Sequence, residues 1–303
     1  MEMSGTATSP APLAPGTIRH PTHGAFKGHL LPGCFFLIWG TYWLISVFRL
    51  HLKSSEKKPF KSRAWYPFLW PKSVPIEPLL KIVFPFIGIN GELWAGHDHY
   101  RHLYESDGRF TEHHIQDWQH SAMYLAFMLA GLVDMLAHYT QLPSGIDQGA
   151  LAMAYVIEGL LFAFHLRGDQ LDVEIHTLLV ITIFLTAIVI LAEIQHKSNV
   201  LLASLRPILV IMQGVWFVQA AFILFRDNLA WDPDYMGSSM MVPVVYVTWF
   251  MAVVFTCLWI YSGMNLYFQK VKKTYRPLTT YTREAKNGEA GAFTADLDSA
   301  EEV

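Results

Sequence analysis

Long runs of apolar residues recur along the chain, separated by polar stretches. Each run holds about 20 residues, the length that an α-helix needs to cross a bilayer. Polar residues within the runs recur at three- and four-residue spacing, as on one face of a helix. The pattern predicts an all-α polytopic membrane protein, a single seven-transmembrane-helix bundle, with spans at about 30–48, 79–97, 118–139, 149–166, 173–195, 200–225 and 241–267.

The composition agrees with this class of protein. Of the 303 residues, 52% are hydrophobic and 16% are charged, whereas soluble domains carry about 25% charged residues. The net charge of -3 is too small to indicate a nucleic acid partner. Cys34 and Cys257 both lie within predicted spans, which argues against a disulfide framework. The partner that the composition indicates is the lipid bilayer, and the oligomeric state is left open.

The two ends of the chain differ from its centre. Residues 1–26 are rich in Pro, Ser, Thr, Ala and Gly, which predicts a disordered N-terminal tail. They lack the apolar core of a cleaved signal peptide, so the first span is expected to be an uncleaved anchor. Residues 27–269 are predicted to form the transmembrane domain, and residues 270–303 a disordered cytoplasmic C-terminal tail.

Basic residues are concentrated on one side of the predicted bundle. The loop at 49–78 carries a run from Lys53 to Arg63, and Lys270 begins another run just after the last span. Because cytoplasmic loops carry an excess of Lys and Arg, the C-terminus is predicted to be cytoplasmic and the N-terminus luminal or extracellular. Aromatic residues and prolines among the basic residues of the 49–78 loop favour a loop lying on an anionic membrane surface.

Imidazoles and carboxylates gather at the opposite side. Alternating helix directions bring the start of the third span, the end of the fourth and the start of the fifth to the luminal or outer side. Ionisable groups inside membrane spans are costly and indicate a functional site. The candidates at this end are His29, Glu92, His120, Glu158, His165, Asp172 and His176, with Glu158 nearest the middle of the membrane.

These side chains offer nitrogen and oxygen ligands without thiolate, a set that suits zinc or another borderline divalent metal. The sequence predicts a metal site built by His120, His165, His176 and Glu92, with Zn2+ as the expected ion. Neighbouring carboxylates would orient the imidazoles as hydrogen-bond acceptors.

An open coordination position on such a metal would activate water for hydrolysis. Glu158 or Asp172 would then be the catalytic base, and the substrate would be a lipid, an amide or another small hydrophobic molecule. A plainer interpretation has the histidines hydrogen-bonding at the membrane interface and Glu158 protonated against a neighbouring helix. The HDHYRH and EHH runs at 97–114 resemble metal ligands, but a solvated loop is the favoured interpretation.

A second polar group is predicted near the cytoplasmic ends of the third and fifth spans, where Asp134, His138, Glu193 and His196 lie. Glu193 and His196 share the Glu-x-x-His spacing of di-iron bundles. One copy of that motif is insufficient, so interhelical hydrogen bonding is the interpretation. On the sixth span, a face of Gln213, Trp216 and Gln219 would line a cavity or lock neighbouring helices.

An ordered series of motifs resembles the transmembrane protein 45 family: FKGHLLPGCFF (26–36), DWQHSAMYLAFMLAGLVDML (117–136), IEGLLFAFH (157–165), LDVEIHTLL (171–179), FLTAIVILAEI (184–194), NVLLASLRPILVIMQGVWFVQ (199–219) and GMN (263–265). The resemblance implies a seven-helix integral membrane protein of endomembranes (Golgi, endosome or lysosome) or the cell surface, linked to trafficking. The residues that match the family pattern are Glu92, His120, Asp134, Glu158, His165, Asp172, His176, Glu193 and Gln213. Gln119 stands where the family often has a histidine, and His196 does not match.

Three functions remain open from the sequence. The leading hypothesis is a lumen-facing metal pocket, with metal-dependent membrane hydrolysis as its chemistry. The second is a non-catalytic protein that acts through partners in trafficking or signalling. The third is an ion- or proton-coupled transporter, which would need polar residues to continue through the bilayer.

Overall fold

The computed structural model describes residues 25–68, 74–95, 102–164, 166, 168–226 and 228–288. Within these residues the chain forms seven long helices: α1 (Phe26–Leu52), α2 (Ile76–Asn90), α3 (Glu112–Tyr139), α4 (Ile146–Ala163), α5 (Gln170–Gln195), α6 (Val200–Phe225) and α7 (Met236–Gly288). A π-helical turn, Gly91–Ala95, continues α2, and a short 3-10 turn, Leu229–Trp231, precedes α7. The predicted all-α, seven-helix bundle is confirmed.

Six of the helices in the described part of the chain are long and apolar enough to cross a bilayer. The exception is α2, which has 15 residues and carries Pro85 in its interior. The π-helical turn that follows extends the same helical rod to Ala95. Large apolar side chains face outward along the helices, such as Phe255 and Trp259 on α7. An apolar perimeter of this kind requires a lipid environment.

The last helix is longer than the sequence pattern indicated. The apolar run predicted a span at about 241–267, whereas α7 begins at Met236 and continues to Gly288. The predicted boundary at 269/270 therefore falls inside a helix. Residues 1–24 and 289–303 lie outside the described residues, so the predicted disorder of these parts of the two tails stays a prediction.

α6 is the central helix and α7 is peripheral. In the most apolar 18-residue stretch of each helix, 61% of the residues of α6 are buried inside the protein, but only 17% of those of α7. α1 packs along α6 more extensively than any other described pair of helices does. Glycines allow this approach, because a Cβ at Gly40 would lie 2.9 Å from the backbone nitrogen of Ile211, and one at Gly214 would lie 2.7 Å from that of Leu37. Small residues at such crossings let two membrane helices touch through their backbones.

The loop between α1 and α2 does not lie only on the surface. Four side chains of its segment Phe60–Tyr66 are buried in the end of the bundle: Phe60, Ser62, Ala64 and Tyr66. We call this stretch the inserted segment. The prediction of a loop lying on an anionic membrane surface stays a prediction for the exposed residues of this loop, and the buried ones pack into the end of the bundle.

Candidate functional site

Two histidines from distant parts of the chain meet at one end of the bundle. His29 lies in the first turns of α1 and His176 lies in the second turn of α5. Their Nε2 atoms are 3.3 Å apart, and their ring centroids are 5.5 Å apart in an edge-to-face arrangement. We call His29, His176 and Asp172 the histidine cluster.

The other nitrogen of each ring has an oxygen partner. Nδ1 of His29 lies 3.2 Å from the carbonyl oxygen of Ala25. Nδ1 of His176 lies 2.9 Å from the Asp172 backbone carbonyl and 2.9 Å from Oδ1 of the Asp172 carboxylate. Because these oxygens only accept, both Nδ1 atoms are assigned as donors. With these tautomers and neutral rings the two Nε2 lone pairs face each other, and a proton or a cation between them would make the contact favourable.

The local sequence explains how Asp172 comes to hold His176. Asp169 caps α5 by accepting a 2.9 Å hydrogen bond from the Asp172 backbone nitrogen. Gly168 precedes this cap with a φ of 121°, in the region that favours glycine. A Cβ at Gly168 would also press against the Asp172 carboxylate. Residues 168–172 thus fix the carboxylate one turn before His176.

A second pair contains two of the predicted ligands. Nδ1 of His120 on α3 lies 3.4 Å from Oε1 of Glu92, which sits on the π-helical turn after α2. Single π-turns are frequent at functional sites because they re-aim a side chain. His120 is also close enough to His29 to interact with it electrostatically. The pair therefore neighbours the histidine cluster.

Two predicted residues, Glu158 and His165, belong to neither of these pairs. Glu158 on α4 is 3% exposed, and its Oε2 has no hydrogen-bond partner among the described residues. His165 lies outside the described residues. Phe162, three residues before it in the sequence, has its ring 6.5 Å from that of His176. The proposed roles of Glu158, Asp172 and the four predicted metal ligands stay predictions.

The surroundings of the histidine cluster are aromatic. The ring of His29 lies 5.0 Å from that of Phe225 and 6.3 Å from that of Phe217, both on α6.

An apolar cleft of about 270 Å³ lies at the start of α3, lined in part by Leu103, Trp118 and Leu161. Among the described residues, no three His, Cys, Asp or Glu side chains come together in a group that could hold a metal ion.

A different polar cluster lies at the other end of the helices. Along α3, Asp134 is 14 residues from His120, which is about 21 Å at helical rise. Oδ2 of Asp134 lies 2.8 Å from Nζ of Lys81 on α2, and Lys81 also lies 3.2 Å from Glu77. The Glu77 carboxylate accepts further hydrogen bonds from Nε1 of Trp43 and from the Tyr66 backbone nitrogen, both at 2.7 Å.

Arg206 on α6 completes this cluster. Its Nε lies 3.2 Å from Glu193 on α5, and both side chains are 0% exposed. Its other nitrogens donate to the backbone oxygens of Arg63 at 2.8 Å and Ala64 at 3.3 Å, in the inserted segment. Burial raises the pKa of Tyr66 to about 12, so its hydroxyl stays neutral and accepts from Arg206. We call Glu77, Lys81, Asp134, Glu193 and Arg206 the ion-pair cluster.

The predicted interhelical hydrogen bonding is confirmed for Asp134, which accepts from Lys81. Glu193 instead forms an ion pair with Arg206, and His138 and His196 are exposed. Sequence reasoning did not single out either cation. Lys81 and Arg206 were the available signal, since each is a cation inside an otherwise apolar run. Of the two alternatives left open for the α6 face, its contacts support the locking of neighbouring helices. Nε2 of Gln213 donates to Thr186 at 2.8 Å, and Nε1 of Trp216 donates to the Ile175 backbone oxygen at 2.8 Å.

These features define a class of protein. Long apolar helices expose apolar side chains at the perimeter of the bundle and keep ion pairs in its interior. The chain is an integral helical membrane protein, and the lipid bilayer is its environment.

Comparison with known proteins gives relatives of the same kind. Residues 144–262 match the model of a family described as "Family of unknown function (DUF716)". The chain is 25% identical to mouse transmembrane epididymal protein 1A over 289 residues, covering 92% of this chain and 93% of the relative. It is 26% identical to rat transmembrane epididymal protein 1 over 261 residues, covering 83% and 84%. The human protein of that name is 28% identical over 137 residues, covering 43% and 50%.

These relatives correct the resemblance drawn from the motifs. The matching proteins carry the name transmembrane epididymal protein 1, and the family model is DUF716, so the assignment to the transmembrane protein 45 family was wrong. Apolar runs with sparse polar residues use few residue types, so separate sets of membrane proteins can share such motifs. The organelles implied by that resemblance lose their basis with it.

Proposed function

We propose that the protein binds a divalent transition metal at the histidine cluster, with Zn2+ as the expected ion. The supporting observation is the 3.3 Å separation of the two Nε2 atoms, each on a ring whose Nδ1 has an oxygen partner. Zn2+ binds imidazole nitrogen at about 2.0–2.1 Å. For an ion at that distance from both nitrogens, the N–Zn–N angle would be about 107°, close to the tetrahedral value.

The hydrogen bonds to Nδ1 support the same proposal. Metal-bound histidines usually donate their other ring N–H to a carboxylate or a carbonyl, which fixes the tautomer and raises ligand basicity. His176 has both kinds of acceptor from Asp172, and His29 has the carbonyl of Ala25. In this arrangement Asp172 acts by positioning His176.

Two further ligands would complete a four-coordinate ion. His165 is the third ligand that the sequence predicts; it lies outside the described residues, so its part in the site rests on the sequence alone. His120 and Glu92 supply the fourth position or a hydrogen-bonding partner for a bound water. The proposed site adds His29 to the ligands predicted from the sequence.

Elemental analysis of the purified full chain tests metal binding. We expect about one zinc per chain in the wild type and none in His29→Ala or His176→Ala. The matched control is His138→Ala, an exposed histidine at the other end of α3, which should keep its metal. Added Zn2+ should also raise the unfolding temperature of the wild type and not that of His176→Ala. Folded wild-type protein that neither contains metal nor responds to it would refute the proposal.

The second part of the proposal is hydrolysis of a lipid ester or amide. The metal, when bound, would supply an activated water as the nucleophile for the carbonyl carbon. Glu158 would take the proton from that water and return it to the leaving oxygen or nitrogen as the ester or amide bond breaks. The buried Glu158 with a partnerless oxygen favours this role, and the apolar cleft of about 270 Å³ offers room for part of an acyl chain.

Glu158→Gln tests the chemistry separately from the metal. The variant should keep its zinc but lose hydrolysis of fluorogenic lipid esters and amides by about 100-fold or more, as expected for a general base. Glu112→Gln, an exposed carboxylate in the first turn of α3, is the matched control. Zinc-loaded wild type without hydrolysis would leave a metal-binding protein that acts through partners. Glu158-dependent ion flux in proteoliposomes would favour transport instead.

We further propose that the histidine cluster faces the lumen or the outside and that the C-terminus is cytoplasmic, whichever compartment holds the protein. The basic residues of the 49–78 loop support this orientation. Epitope tags at the two termini, probed by antibody with and without permeabilisation of cells, test the orientation. A C-terminal tag that is accessible on intact cells would contradict it, and microscopy of the same cells would identify the compartment.

A further inference from the structure

The inserted segment has two different faces. Its buried positions, Phe60, Ser62, Ala64 and Tyr66, alternate with Lys61 and Arg63, which are exposed. This is the two-residue alternation of an extended chain. The inward side chains therefore force the basic ones to point away from the bundle.

The inward face is fixed by the helices around it. Arg206 of α6 donates to two of its backbone oxygens, and Glu77 of α2 accepts from the Tyr66 backbone nitrogen. The Ser62 backbone nitrogen donates to the Lys197 carbonyl at 2.7 Å, in the turn between α5 and α6. Anchors on α2, α6 and this turn hold the segment as a fixed platform.

The outward face carries a concentration of positive charge. Lys57, Lys58, Lys61 and Arg63 are exposed, and the contact at Ser62 brings the turn with Lys197 beside them. We call these five residues the basic face. Glu56 is the single acidic residue between Lys53 and Tyr66. The face lies between the end of α1 and the start of α2, where the apolar helices end and the bilayer surface is expected.

We propose that the basic face binds the headgroups of anionic phospholipids. Lys and Arg beside a membrane surface attract anionic headgroups, and Arg also offers a planar donor fork that matches phosphate. Because the same segment is bonded to α2 and α6 on its inward side, a bound headgroup also holds that end of the bundle together. Anionic lipid should therefore raise the stability of the whole protein.

Binding of short-chain lipids to the full chain in detergent tests this proposal. Dioctanoyl phosphatidylserine should bind more tightly than dioctanoyl phosphatidylcholine, and the difference should shrink at high salt. One basic residue near an anionic surface is worth about fivefold in affinity. Lys61→Gln/Arg63→Gln should therefore weaken phosphatidylserine binding by about 25-fold, and should abolish the rise in unfolding temperature that this lipid produces.

The matched control removes the same charge elsewhere. Lys27→Gln/Arg109→Gln changes one exposed Lys and one exposed Arg outside this loop and should leave phosphatidylserine binding unchanged. Equal binding of the two lipids, or equal weakening by the two double variants, would overturn the proposal. Complete competition by millimolar inorganic phosphate would also overturn it, because it would indicate a site for free phosphate. Loss of the preference on adding an acidic peptide of the sequence ADLDSAEEV would indicate a protein tail as the true occupant.

Discussion

The two polar clusters of this bundle differ in the partners that their polar side chains face. In the ion-pair cluster each cation has a carboxylate within 3.2 Å, and the cations also satisfy backbone oxygens of the inserted segment. In the histidine cluster two nitrogens that would both accept face each other at 3.3 Å. The first cluster holds the backbone of the inserted segment inside the bundle, whereas the second is the candidate site. The two clusters differ in how their polar groups are paired: carboxylates face cations in the first, whereas two imidazole nitrogens face each other in the second.

The largest effect is expected from breaking a pair in the ion-pair cluster. Arg206→Ala leaves the Glu193 carboxylate buried without its cation and frees two carbonyl oxygens of the inserted segment. Removing one partner of a buried pair costs about 3–5 kcal/mol. The free energy of unfolding in detergent, measured by denaturant titration, should fall by about that amount.

The double variant Arg206→Leu/Glu193→Leu is the comparison for this result. Replacing both charges by apolar groups removes the unpaired carboxylate, so this variant should be more stable than Arg206→Ala. An Arg206→Ala variant as stable as the wild type would show that the ion-pair cluster does not stabilise the fold.

A smaller effect is expected from Trp43→Phe. This change keeps an aromatic ring near Lys81 and Arg206 but removes the 2.7 Å hydrogen bond to Glu77. A hydrogen bond to a charged group contributes about 1.5–3 kcal/mol, so we expect a loss of about 2 kcal/mol in the same titration. Trp259→Phe, on a side chain that is 77% exposed, should change stability by less than about 0.5 kcal/mol. Equal losses in the two variants would show that ring volume, and not the hydrogen bond, is responsible.

The smallest effect on stability is expected in the histidine cluster. Asp172→Asn removes the charge that holds His176 through Nδ1. Loss of such a partner weakens metal binding by about 10- to 100-fold, while metal-free stability should change by less than about 1 kcal/mol. Zinc titration of metal-free protein measures the metal affinity, and denaturant titration measures the free energy of unfolding. Asp169→Asn is the control, because asparagine also caps a helix; a stability loss without any loss of zinc affinity in Asp172→Asn would make the cluster structural.

The sequence predicted the helices well because apolar runs of bilayer length leave few alternatives. Its weakest point was the second span, where Pro85 and the glycines at 88 and 91 obscure the pattern and a π-helical turn follows. Helical spacing also indicated correctly that His176 would lie one turn from Asp172 and that His120 and Glu92 would share one end of the bundle.

Pairing across the bundle could not be predicted in the same way. Lys81 and Asp134 are separated by 53 residues, and Arg206 reaches Arg63 across 143. Such pairs depend on which helices become neighbours in space and on how each helix is rotated about its axis. A single sequence does not specify either. The inserted segment was hidden for a related reason, because its alternating burial covers only a few residues within a basic, proline-rich loop.

The packing of α1 against α6 has a consequence for biosynthesis. Within the histidine cluster, 147 residues separate His29 from His176, and a ribosome adding about 5–20 residues per second needs roughly 7–30 s to cover that distance. Throughout that interval α6 has not yet been made, so α1 lacks the helix against which it packs through close glycine contacts. Arg206 emerges later still, so the inserted segment waits for its anchor as well. Under the proposed function, the metal site would be complete only after α6 has been translated and has packed against α1.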